Sequence, residues 1–227
     1  VALHAGVSPR GRVLYPRPFW EVVTPGLPFE GVPWLDELER HLRAVPSGVG
    51  EIGLDRWITD VAAAGPIFSF RYAPGTSTVC IVKRVSVGFV CTTAFGAAQQ
   101  MGYAIYAARS FTGSDSGGTA ATITGNNNKY RTSLATSSVT DARIATTAAL
   151  TAGTRTLDAQ AIGTNYFWVA GAGTSLTQTD LISYDANDYP IVLANNEGFV
   201  ITNLVLMGAA GVGTAVVNVE WFEANTY

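Results

Sequence analysis

Nine of the chain's ten prolines lie at or before Pro74, and the tenth is Pro190. Proline fixes φ and lacks the N–H that a sheet ladder needs, so a stretch this rich in it is excluded from central strands. The chain therefore divides into a Pro-rich front, residues 1–75, and a remainder, residues 76–227, that is free to form sheet. Within the front, YPRPFWEVVTPGLPFEGVPW sets Pro16, Pro18, Pro25, Pro28 and Pro33 among Tyr15, Phe19, Trp20, Phe29 and Trp34. Such a segment is expected to run as an extended, polyproline-like arm. An extended arm buries its own aromatics poorly, so Tyr15, Phe19, Trp20, Phe29 and Trp34 are the expected partner-binding anchors.

Two short helices are expected in the same region. Over about 33–45, Pro33 suits a first helical turn, and Trp34, Leu35, Leu38, Leu42 and Val45 recur at helical spacing. Over about 51–64, Ile52, Leu54, Trp57, Ile58 and Val61 offer a second apolar stripe, stopped by Gly65-Pro66.

From Thr76 onward the periodicity changes to that of strands. TVCIVKRVSVGFVCT is rich in β-branched residues and reads as one strand or a bent pair, with Val79, Ile81, Val85, Val87 and Phe89 of one parity. MGYAIYAARSF, DARIATTAAL, NYFWVAG, PIVLA, GFVITNLVLMG and TAVVNVEWFE follow, separated by turn signals such as TGSDSGG, GNNN and NNEG. The last two read as a β-hairpin, with Ala215, Val217, Val219 and Trp221 on one face and Thr214, Asn218 and Glu220 on the other. The expected fold is mainly β: an antiparallel β-sandwich of jelly-roll kind over 76–227, preceded by the N-terminal arm.

Charge and cysteine usage narrow the partners. Charged residues make up 14% of the chain, against a usual share of about 25%, and the net charge is −3. No nucleic acid is expected as a partner, because nothing here releases counterions from a polyanion. Neither a secretory leader nor a membrane span is expected, since no apolar run nears the roughly 20 residues that a span requires. Cys80 and Cys91 stand 11 residues apart and would point to opposite faces of one regular strand. Both read as small buried hydrophobes.

The chain carries few groups suited to catalysis. The two histidines, His4 and His41, both lie in the front. A Ser-His-Asp or Cys-His system in the β region is therefore not expected, nor is a zinc site. The carboxylates Asp115, Asp141, Asp158, Asp180, Asp185, Asp188, Glu197, Glu220 and Glu223 read mostly as turn residues. A converging pair among them would be the one route to a glycan-degrading enzyme. Asp180, Asp185, Asn187 and Asp188 have the oxygen ligands of a calcium site, which Asx turns explain equally well. GSDSGG (113–118) reads as a flexible loop. GAAGVG (208–213) lacks the strand-to-helix context of a dinucleotide site. Tyr166, Phe167, Trp168, Tyr184 and Tyr189 could stack on sugars. Core packing is the competing account, above all for Phe167 and Trp168, which leaves Tyr184 and Tyr189 as the glycan-facing candidates.

The C-terminal stretch PIVLANNEGFVITNLVLMGAAGVGTAVVNVEWFEA, residues 190–224, resembles the tail of small virion surface proteins of tailed bacteriophages, of the capsid decoration or cement type. The resemblance rests on a late strand with an N-E-G turn and on the ending Val216-Val217-Asn218-Val219-Glu220-Trp221. It implies a structural, non-catalytic protein without cofactor or metal, located in the virion and assembled in the host cytoplasm. Its implied partners are the major capsid protein or other virion subunits. A homo-oligomer is expected, with a trimer as the first choice of symmetry. The alternative function is a carbohydrate- or host-receptor-binding virion module, a head fibre or tail adhesin holding host-surface glycan.

Overall fold

The computed structural model describes residues 51–59, 64–123, 129, 133–170, 175–184, 190–206 and 211–224. The expected arm, its five aromatic anchors and the helix expected over 33–45 lie outside the described residues, as do His4 and His41.

The described chain is mainly β, with antiparallel pairing throughout. The first sheet takes β1 (Glu51–Thr59), β12 (Val212–Ala224), β3 (Val79–Thr93) and β10 (Ile191–Leu193) in that order, with β9 (Ser175–Ser183) also on β3. The second runs β5 (Thr119–Ala120), β6 (Val139–Ile144), β2 (Gly65–Tyr72), β11 (Glu197–Asn203), β4 (Gln99–Gly113) and β7 (Thr154–Leu157), with β8 (Gly163–Val169) also on β4.

One core joins the sheets. Phe68, Phe70 and Tyr72 of β2, Phe199 and Ile201 of β11 and Met101, Tyr103 and Ile105 of β4 meet Val85, Val87 and Phe89 of β3 and Val217, Val219 and Trp221 of β12. The contact is edge-to-face between Phe70 and Trp221, whose ring centroids are 5.3 Å apart. Phe89 meets Phe167 of β8 at 5.1 Å. A second, smaller cluster on the opposite face of the second sheet holds Ala108, Phe111 and Val200, with Leu157 against it. Strand β11 therefore contributes to both clusters, which is why its run Phe199-Val200-Ile201 is apolar without alternation.

Three expectations are corrected. The helix expected over 51–64 gives way to a strand at Glu51–Thr59, whose Cα register with β12 runs from Glu51↔Phe222 to Thr59↔Ala215. Gly53, Ile52, Ile58 and Thr59 weaken a helix, and the free edge of β12 offers a ladder that an isolated short helix cannot match. The β body also begins well before residue 76, because β2 lies inside the second sheet between β6 and β11. Its proline does not prevent this. Pro66 sits at the strand's start, where its carbonyl accepts from the Leu150 N–H at 2.8 Å, and Pro74 follows the strand's end.

The final hairpin is the third correction. Strand β11 pairs with β2 and β4, whereas β12 pairs with β1 and β3 in the other sheet. The face assignment of β12 is nonetheless as expected, with Ala215, Val217, Val219 and Trp221 all buried in the shared core. In β3 the parity changes part-way. Glu220 pairs with Arg84 and Trp221 with Val82, so Lys83 is the extra residue of a bulge. Cys80 and Val82 before it, and Val85, Val87, Phe89 and Cys91 after it, all face the core. Both cysteines are free and buried.

Candidate functional site

From Asp115 to Glu223, the carboxylates whose side chains are described are held by structural partners. Asp115 accepts two hydrogen bonds from Arg155, at 2.7 and 3.0 Å, and one from the Gly153 N–H at 2.9 Å. The Arg155 guanidinium also lies 5.7 Å from the centre of the Phe111 ring, so it closes the smaller cluster. Ser116 exchanges two backbone hydrogen bonds with Thr151. The GSDSGG segment, read from sequence as a flexible loop, is thus pinned at its middle.

Arg109 bridges two acids, Glu197 at 2.9 Å and Asp158 at 3.3 Å. Asp141 pairs with Arg143 and Asp180 with Arg84. Glu223 is buried and accepts from the Ser137 hydroxyl at 2.6 Å and the Ser138 N–H at 2.9 Å. Burial, with the Glu223 charge adding to it, pushes the neighbouring Cys80 thiol well up. Asp185, Asn187 and Asp188 lie outside the described residues, which hold no group of three or more His, Cys, Asp or Glu placed for a metal ion.

Two surfaces of the described residues stand out. The first is aromatic. Along β8 the side chains alternate: Phe167 turns to the core, while Tyr166 and Trp168 are 53% and 62% exposed. Opposite them on β4 stand Gly102 and Gln100. A Cβ at Gly102 would come within 2.5 Å of the Tyr166 ring, so the missing side chain is what lets that ring lie across the strand. Leu206 is exposed as well, and its carbonyl accepts from the Gln99 amide at 3.3 Å.

The second surface is polar. Arg84, Ser86, Gln178, Asn218 and Glu220 line a cavity of about 280 Å³ on the first sheet, away from the shared core. Gln178 donates from Nε2 to the Ser86 hydroxyl. Asp180 holds Arg84 at 2.7 Å and raises its pKa, and Lys83 pairs with Glu220 at 3.2 Å.

Of the residues expected from sequence to face a glycan, Tyr184 is half-buried against the core and Tyr189 lies outside the described residues. Trp168, for which core packing was the favoured account, faces solvent instead. The period-two alternation of Tyr166-Phe167-Trp168-Val169 carries that signal once the strand is known to have one buried face. The polar cavity was half-legible: Asn218 and Glu220 share the polar parity of the last strand, but nothing in SLTQTD marks Gln178.

No family model matches the chain, and no curated protein or solved structure matches it.

Proposed function

We propose that the chain is a structural virion protein of a tailed phage, a capsid decoration protein that grips neighbouring subunits. We read its two sheets as a β-sandwich of jelly-roll kind. We read the Pro-rich segment ahead of Glu51 as the arm that carries the anchors Tyr15, Phe19, Trp20, Phe29 and Trp34. The observation that carries this reading is the outward pair Tyr166 and Trp168 on a sheet that buries Phe68, Phe70, Tyr72, Tyr103, Phe111 and Phe199. Exposed Tyr and Trp cost little side-chain entropy when covered, and they are the residue types enriched at the centres of protein interfaces. The ion pairs described above support the same reading, since they engage Asp115, Asp141, Asp158, Asp180, Glu197 and Glu220 in structural work. The resemblance of residues 190–224 to phage decoration proteins supports it from sequence.

The test is co-sedimentation with particles lacking the protein. Trp168→Ala and deletion of residues 1–33 should each weaken attachment about tenfold or more while leaving Tm within a few degrees. Attachment at wild-type density by both variants would overturn the reading. Sedimentation velocity gives the oligomeric state, expected to be a trimer.

A second reading, a virion module that binds host-surface glycan, is favoured by the polar cavity on the first sheet. A glycan array probed at high protein concentration tests it, and silence across bacterial surface polysaccharides counts against it.

A further inference from the structure

The polar cavity is built differently from an ordinary solvated sheet face. In the Cα register Asn218 of β12 stands opposite Ser86 of β3, and Ser86 opposite Asp180 of β9. On a face turned from the core such residues are normally wet. Here Ser86 is fully buried and Asn218 is 5% exposed, both lining the cavity. The Ser86 hydroxyl already accepts from Gln178. The Asn218 side-chain amide has no hydrogen-bond partner among the described residues, leaving two donors and one acceptor available at the cavity wall. The Asn218 amide keeps its access to solvent through the cavity, so water occupies these positions until a ligand supplies both kinds of partner.

The charges restrict the ligand. Arg84 is committed to Asp180 at 2.7 Å and Glu220 to Lys83 at 3.2 Å, so the lining presents cations and anions in matched pairs. A phosphate or a metal ion would have to break one of them. An apolar ligand would strand Asn218. Size restricts it further, because about 280 Å³ falls just below the range of roughly 300–1,000 Å³ typical of drug-sized ligands. We propose that this cavity binds one neutral monosaccharide unit, whose hydroxyls give and accept hydrogen bonds at Asn218 and Ser86. Gln178, at the exposed rim, closes over the unit from β9. The inference rests on the glycan-binding reading above and is independent of how the chain is held on a particle.

The experiment is a titration of the isotope-labelled full chain with glucose, galactose, mannose and N-acetylglucosamine, followed by amide chemical shifts. At least one sugar should give saturable shifts centred on Ser86, Gln178 and Asn218. Asn218→Ala should raise its Kd about tenfold, as expected for one lost hydrogen bond in a buried site. Gln178→Ala, at an exposed residue, should also weaken binding and serves as the second arm if Asn218→Ala fails to fold. Trp168→Ala should leave the Kd unchanged. Absence of saturable shifts with every sugar would overturn the proposal, as would shifts centred on Tyr166 and Trp168. A positive glycan array combined with unchanged Kd in both cavity variants would keep the glycan reading and remove this site from it.

Discussion

Asp115 and Arg155 meet in a two-pronged ion pair, 2.7 and 3.0 Å long, with side chains only 0% and 3% exposed. Removing one partner from such a pair leaves the other charge buried without compensation, which typically costs about 3–5 kcal/mol. Asp115→Ala should therefore lower Tm by roughly 6–20 °C, given about 2–4 °C per kcal/mol for a chain of this size. The double change Asp115→Leu with Arg155→Met should cost far less than the single one, because no charge is then stranded. Thermal unfolding followed by circular dichroism decides it. Equal losses in the single and double variants would show that the pair's charges are not what matters.

Trp221 is fully buried beside Phe70, yet its indole N–H has no hydrogen-bond partner among the described residues. Trp221→Ala should cost about 3–5 kcal/mol through lost burial and the cavity left behind. Trp221→Phe should cost much less, since it keeps most of the apolar contact and removes an unmatched donor. Denaturant unfolding gives both values. A Phe variant as unstable as the Ala variant would mean that the N–H is satisfied in solution.

Gly198 of β11 stands opposite Arg71 of β2. A Cβ there would lie 2.0 Å from the Phe70 carbonyl oxygen and 2.9 Å from the Phe111 ring. Backbone cannot yield as a flexible side chain does, so Gly198→Ala should destabilise the protein by about 2 kcal/mol or more. Gly75→Ala should be milder despite its positive φ of 71°, because nothing lies within 4 Å of a Cβ there. The two variants compared in urea test whether close approach or backbone angle dominates.

Burial raises the phenol pKa of Tyr72 and of Tyr103 above the usual value near 10. The folded state then holds these protons more tightly than the unfolded chain. Their contribution to stability is complete below about pH 10 and is lost as pH rises beyond it. An ultraviolet titration should show these two phenols ionising only with alkaline unfolding. Ionisation of all the tyrosines while the fold persists would contradict their burial.

Much of the fold was legible because burial imposes parity. The core face of β12 follows directly from Ala215, Val217, Val219 and Trp221, and the mainly β class from the density of β-branched residues. What parity cannot supply is the partner. An inward face looks the same whether its strand pairs with its chain neighbour or with a strand of the other sheet, so β11 and β12 were mistaken for a hairpin. Nor does parity survive a bulge: the extra Lys83 brings Val82 and Val85 to the same face. Proline density does not bar the front from sheet either, since Pro66 needs only a place at the start of β2. At the candidate sites, Tyr166 and Trp168 were visible as aromatics but their exposure was not. Gln178 reaches the cavity only because β9 lies beside β3, a long-range pairing with no local signal.

The measurement that bears most directly on the proposed role is quantitative mass spectrometry of particles purified from the proposed phage source. A decoration protein occupying symmetric capsid sites should be present on the order of hundreds of copies per particle. Recovery of the chain only in the soluble fraction of infected cells, with no peptides in gradient-purified particles, would contradict a structural place in the virion.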